Sequence, residues 1–299
     1  MVQKNKLRIG FVPEHFSTPL HFAQKHFDLN AETTPFPTGT GAMAAALKDN
    51  SIDVAIGLTE GFVADLGRTA AAKQTPRYGL VGTYVESPLC WAISVGGKSR
   101  LADARDLKGK RVGVSRIGSG SYVMSYVLAD RHSWLTPGRP PFEPIVLGDF
   151  AALRAGVNAN NDADFFMWEH FTTKKYYDNG ELKRIGEIYT PWPSWMIAAR
   201  DAKDERLEIL AEKLNKGVAY FLEHRKESID HITSTMEYSP ADAEAWLKTV
   251  EFAKNVRGVD LKVVESTVSI LQKAGVLPEE TKADGMVAIK RSARATTDL

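Results

Sequence analysis

The chain has 299 residues, 43% hydrophobic and 25% charged, and its 38 lysines and arginines nearly balance 37 aspartates and glutamates. A net charge of +1 leaves no basic surplus for a nucleic-acid backbone, and the apolar fraction is that of a folded chain rather than a disordered one. The single cysteine, Cys90, excludes a disulfide framework and a cysteine-built zinc or iron–sulfur centre.

MVQKNKLRIGFV enters an apolar run without the hydrophobic region and cleavage site of a secretory signal. No window reaches the ~18 apolar residues of a membrane span. The expectation is a cytoplasmic protein, or a periplasmic one if a leader had preceded Met1. LRIGFV reads as a strand, and Thr18-Pro19 opens a helix, PLHFAQKHF, with a cap and a proline at its first position. ETTPFPT is extended because prolines disfavour helix before them. Thr38-Gly39-Thr40-Gly41 precedes the helix AMAAALKD; DVAIGLT is a buried strand, and EGFVADLGRTAA a helix. YGLVGTYVE and LCWAISV are strands divided by Ser87-Pro88.

The alternation then repeats. RVGVS leads through Arg116-Ile117-Gly118-Ser119-Gly120-Ser121 into the helix SYVMSYVLADR. EPIVLG precedes the helix DFAALRAG, and ADFFMW the helix EHFTTKKYY. LKRIGEIY and SWMIAAR are the last strands. After Asp201 come amphipathic helices: DERLEILAEKLNKGVAYFLEHR, SPADAEAWLKTV and DLKVVESTVSILQKAG. Interleaved strands and helices make this an α/β protein with largely parallel sheets, a helical C-terminal cover and a loose tail after Gly285. No internal repeat is visible.

Four segments, LRIGFVPEHFSTPLHFAQ, LKDNSIDVAIGLTEG, ARDLKGKRVGVSRIGSGS and ADFFMWEH, together resemble the type II periplasmic-binding-protein fold. The branch they look like contains the substrate-binding proteins for nitrate, aliphatic sulfonates and thiamine-pyrimidine precursors. His15 and Phe16 before Ser-Thr-Pro are similar to signal-less soluble members found in yeasts and some bacteria. The resemblance implies two α/β lobes closing on a central ligand cleft. The chain would leave the first lobe near Trp91–Val95 and return near Trp192–Met196. Residues 1–95 with 192–299 would then form lobe I, and 96–191 an inserted lobe II.

Candidate ligand residues lie where strands end and helices begin. Arg116 with Ser119, Gly120 and Ser121 can cradle an anion on backbone N–H groups and a helix dipole, or make an ordinary capped turn. A Walker A loop is excluded, because no Gly-Lys-Ser/Thr follows at the required spacing. Thr38, Gly39, Thr40 and Gly41 are the matching turn in the first half, or a plain cap. Thr59 and Glu60 end one strand and open a helix, where Glu60 is either a ligand or a favourable first-turn charge. His15 and Phe16 follow the first strand; a lone loop histidine is otherwise a surface residue. Trp168 can stack on a planar ligand and Glu169 accept from an amino group, or the first is core and the second a helix acid. Ser87 and Trp192 mark the two crossings. Cys90 reads as an inert thiol.

The leading expectation is a monomeric, non-enzymatic binder of a small heteroaromatic, anionic or zwitterionic metabolite, pyrimidine- or sulfonate-like, with no cofactor, metal, nucleic-acid partner or membrane span. Two glutamates beside one arginine fit a zwitterion better than a simple anion. The alternative is an enzyme similar to fungal thiamine-pyrimidine synthases, which use pyridoxal phosphate, a histidine and iron. Their cysteine-rich signature is missing here. A ligand-dependent sensor is the third reading.

Overall fold

Runs that bury both faces become strands, and helices alternate with most of them along the chain. The computed structural model describes residues 6–291 except 137. The first half holds β1 (Leu7–Phe11), α1 (Thr18–Phe27), β2 (Ala31–Pro35), α2 (Thr40–Lys48), β3 (Val54–Leu58), α3 (Thr59–Ala71) and β4 (Gly79–Val85). Next come β5 (Cys90–Gly96), β6 (Arg111–Val114), α4 (Gly120–Arg131), β7 (Glu143–Val146), α5 (Phe150–Val157), β8 (Phe165–Glu169), α6 (His170–Asp178) and β9 (Leu182–Tyr189). The chain then adds β10 (Trp195–Ala199), α7 (Arg206–Glu223), α8 (Arg225–Thr235), α9 (Pro240–Leu247) and α10 (Leu261–Lys273).

Two five-stranded sheets result, ordered β2-β1-β3-β10-β4 and β7-β6-β8-β5-β9. Within each, four strands point the same way, and one, β10 in the first and β5 in the second, runs against both its neighbours. The sheets are therefore mixed, two of the four pairings in each being antiparallel. β5 pairs with β8 and β9, so 90–96 stands in the second sheet, whereas the resemblance has the chain leave the first lobe near Trp91–Val95. An apolar run such as WAISV carries no mark of which sheet it will join.

The two crossings are tied to each other. Ser194 Oγ donates to Ser87 O at 2.7 Å, and Leu89 and Thr190 exchange hydrogen bonds of 2.9 and 3.1 Å. The C-terminal helices bury apolar stripes: α10 hides Val264, Val268 and Leu271, one helical face, and packs on α3. α8 was not legible in sequence, since of its residues only Ser228 and Ile232 are buried. The stretch after Gly285 is not loose where it is described: Leu80 donates to Met286 O and Ala288 to Leu80 O, both at 2.8 Å, edging β4. Residues 292–299, the rest of that expected loose tail, lie outside the described residues.

A repeat also emerges. Arg8 in β1 grips Asp53 through its backbone N–H and guanidinium, and reaches Asn50 O and Oδ1. Arg111 in β6 holds Asp164 and Asn161 with the same atoms. Asn50 and Asn161 share a left-handed backbone, with φ of 70° and 52°. Three residues at matched positions escape any search for sequence periodicity. Both clamps sit at the amino ends of the strands.

Candidate functional site

The carboxyl ends of β1, β3, β6 and β8 and the beginnings of α2, α4 and α6 converge on one cavity of about 70 Å³ between the sheets. That is room for roughly five water-sized groups. Of the sequence candidates, Thr38, Gly39, Thr40, Arg116, Ser119, Gly120, Ser121, Trp168 and Glu169 line it. Val12, Glu14, Leu58, Gly61, Trp91, Ser115 and Trp195 are among the others that do.

On the first-sheet side, Leu58 N–H donates to Thr40 Oγ1 at 2.9 Å, which pins the α2 turn to the end of β3. On the opposite side Ser119 caps α4: its Oγ accepts from Tyr122 N–H and lies 2.9 Å from Ser121 Oγ. Arg116 is half-buried, and among the described residues its guanidinium has no hydrogen bond or ion pair. Burial, then the nearby Arg68, pushes its pKa down.

Two carboxyl groups share this cavity. Glu169 is 5% exposed; its Oε2 accepts from Thr172 N–H at 2.6 Å, and burial raises its pKa to about 7. The protein enclosing Glu14, and then the charge of Glu169, push the Glu14 carboxyl up as well. Both hold a proton more readily than a free carboxyl and so can donate as well as accept, and a cationic group beside them would favour their charged form. Trp91 and Trp195 add buried indole N–H groups that find no acceptor. Unsatisfied buried donors call for an explanation, and a ligand in the cavity they line supplies one.

Seven sequence candidates do not reach the lining. His15 is wholly buried behind it, with ring centroids 4.5 Å from Phe16, 4.5 Å from Tyr238 and 4.1 Å from Trp246. Its nitrogens lack hydrogen-bond partners, Nε2 lies 4.0 Å from Glu169 Oε1, and burial depresses its pKa strongly. Phe16 packs on Trp195, supporting the wall from behind. Thr59 Oγ1 donates to Pro193 O. Glu60 is fully buried, with Trp192 Nε1 donating to its Oε2 at 3.0 Å and no donor at Oε1. Ser87 is spent on the crossing, where its Oγ accepts from Glu251 N–H. Gly41 lies beneath the Arg116 side chain.

Glu14 and Trp195 line the cavity and are not among the sequence candidates. The usable signal for Glu14 is its place three residues beyond Phe11, the end of β1. The tryptophans sit in apolar runs that look like core. The lining contains no lysine, histidine or cysteine. Pyridoxal phosphate held as an aldimine needs an amine that these residues do not supply. Cys90 lies elsewhere, its Sγ 3.6 Å from Glu187 Oε2, and burial pushes its pKa up to about 12. Among the described residues no group of three or more metal-ligating side chains could hold an ion, and no helix is long and apolar enough to cross a membrane.

A profile of the family described as Ca3427-like PBP matches residues 91–188. Among solved structures, the chain is similar to the Candida albicans CA3427 gene product, reported to define a new family with the generic periplasmic binding protein structural fold. The two are 42% identical over 93% of each chain, with a TM-score of 0.82. It is also similar to the alkanesulfonate-binding protein SsuA from Xanthomonas axonopodis pv. citri, bound to MOPS, at 20% identity, 94% and 97% coverage and TM-score 0.73. PhnD1 from Prochlorococcus marinus, in complex with methylphosphonate, matches at 14% identity, 91% and 98% coverage and TM-score 0.60. No curated protein matches the chain.

Proposed function

Because this chain belongs to the family that the Candida albicans CA3427 gene product defines, with its periplasmic-binding-protein fold, we propose that it is a binder that closes two lobes over one small zwitterionic or amino-heteroaromatic acid. The observation that carries this reading is the unpaired Arg116 guanidinium lining the same cavity as the carboxyl groups of Glu14 and Glu169, both raised by burial. The acidic end of the ligand takes Arg116 and the start of α4. Its amino end donates to Glu14 and Glu169, and its flat face lies against Trp168. Lobe II is the inserted 96–191 together with β5, and the tied crossings at Ser87 and Ser194 form the hinge. MOPS, which SsuA holds, is itself a zwitterion, and this supports the ligand class. The lining residues support binding over catalysis, since none is a nucleophile paired with a base.

Native mass spectrometry of freshly purified protein tests the reading. A retained small molecule, released on denaturation, is expected in wild type and should be absent or strongly depleted in Arg116→Ala. Equal retention in that variant would place the ligand elsewhere.

A further inference from the structure

Two guanidinium groups cross between the sheets in opposite directions. Arg116, which follows β6 in the second sheet, lies against Gly41 in the first turn of α2. Arg68, on α3 beside the first sheet, lies against Gly118 in the turn before α4. A Cβ at Gly41 would stand 2.6 Å from Arg116 Cζ, and one at Gly118 would stand 2.7 Å from Arg68 Nη1. Each arginine thus uses a glycine of the opposite half as its seat.

Neither guanidinium has a hydrogen bond or ion pair among the described residues. The acids that act on Arg116 are already committed. Asp65 receives Lys48 Nζ and Tyr78 OH, each at 2.8 Å, and Glu60 receives the Trp192 indole. The charge of Arg68 disfavours that of Arg116; Arg68 stands at Gly118 in the turn before α4, and Arg116 shares the cavity lining with Ser119 and Ser121. An anion between the two arginines removes that repulsion.

We infer that Arg68 and Arg116 form a bridging site for the acidic end of the cleft ligand, and that this end is a doubly charged tetrahedral oxyanion of the phosphate or phosphonate class. This rests on the reading of the cleft as a ligand site. A carboxylate has only two oxygens, and one arginine fork engages both of them. A tetrahedral group offers a separate oxygen to each guanidinium and a third to the serine hydroxyls. A sulfonate has the shape but only one charge, so the second arginine discriminates against it. Arg68 is exposed and is not among the residues that line the cavity, and because it reaches Gly118 from the other half it acts only when the two halves are together.

Calorimetric titration at pH 8 with methylphosphonate and methanesulfonate as probes tests this. Wild type should prefer methylphosphonate by about tenfold or more, the scale of one charge-assisted contact. Arg68→Ala should lose about that factor for methylphosphonate and about threefold or less for methanesulfonate, while Arg116→Ala weakens both. An unchanged apo melting temperature shows that the variants fold. If Arg68→Ala leaves methylphosphonate binding unchanged while Arg116→Ala weakens it, the bridging site is wrong and the cleft reading stands. If neither probe binds wild type, or both bind equally, the phosphate class is overturned; if, in addition, a molecule retained by wild type survives Arg116→Ala, the cleft reading falls with it.

Discussion

Glu60 offers a test in which the sign of the effect is fixed by burial. Its carboxyl is wholly buried between α3 and the start of α4, with Oε2 bonded to Trp192 and Oε1 facing Gly120, where a Cβ would stand 2.8 Å away. Burial raises its pKa from 4.5 to about 7, against the smaller opposing pull of Trp192 and Arg116. The folded state therefore holds this proton more tightly than the unfolded chain. Stability from this group is fullest below pH 4.5 and is lost as pH rises through about 7. Linkage puts the cost at about 1 kcal/mol at pH 5 and about 3 kcal/mol at pH 8. Glu60→Gln removes the titration and keeps an acceptor for Trp192. Its amide nitrogen gains no partner at the Oε1 position, but that cost does not change with pH. The contributions of Glu14 and Glu169 cancel between the two proteins. The advantage of the variant over wild type should thus grow by roughly 2 kcal/mol between pH 5 and pH 8, or about 5 °C in melting temperature. Thermal melts of both proteins at the two pH values read this directly. A difference between them that stays constant from pH 5 to pH 8 would refute the claim that Glu60 folds as a buried, reluctant acid.

Gly41→Ala should raise the apo melting temperature slightly, by up to ~1 kcal/mol of helix propensity, while lifting Arg116 from its seat and lowering retention of the cleft ligand about tenfold; unchanged retention in native mass spectrometry would free Arg116 of its role. Gly82→Ala in β4 would bring a Cβ to 2.1 Å from Val256 O, on a segment fixed by the Gly258 N–H bond to Val81 O. A loss of about 2–4 kcal/mol in chemical denaturation is expected, and an unaltered midpoint would show that the segment yields freely.

Much of the fold was legible because local signals and burial agree. The runs at 7–12 and 165–169 have the length of buried strands, and Ser119, Asp149 and Asp260 do cap the helices that follow them. Strand-end reasoning found the turns that line the cavity, since topology alone carries those positions to the cleft. What it missed depends on distant partners. His15 reads as a loop histidine until Tyr238 and Trp246, more than 220 residues on, close over it. Glu60 reads as a helix acid until Trp192 reaches it from the return crossing. Trp91 and Trp195 are both core and lining, and only the unmatched N–H on each separates the roles.

The position of β10 has a consequence for how the chain is made. It lies between β3 and β4, hydrogen-bonded to both, yet it is synthesised about 110 residues after β4. Residues 7–58 can close their three parallel strands and the Arg8–Asp53 clamp as soon as they leave the ribosome. The sheet as a whole cannot. At ~5–20 residues per second, the facing edges of β3 and β4 wait roughly 5–20 s for the strand that separates them. During that wait two almost wholly apolar edges are open to each other and to any foreign strand. The last strand of this sheet is thus a timing device as well as a structural one: the second half must be completed before the first is sealed.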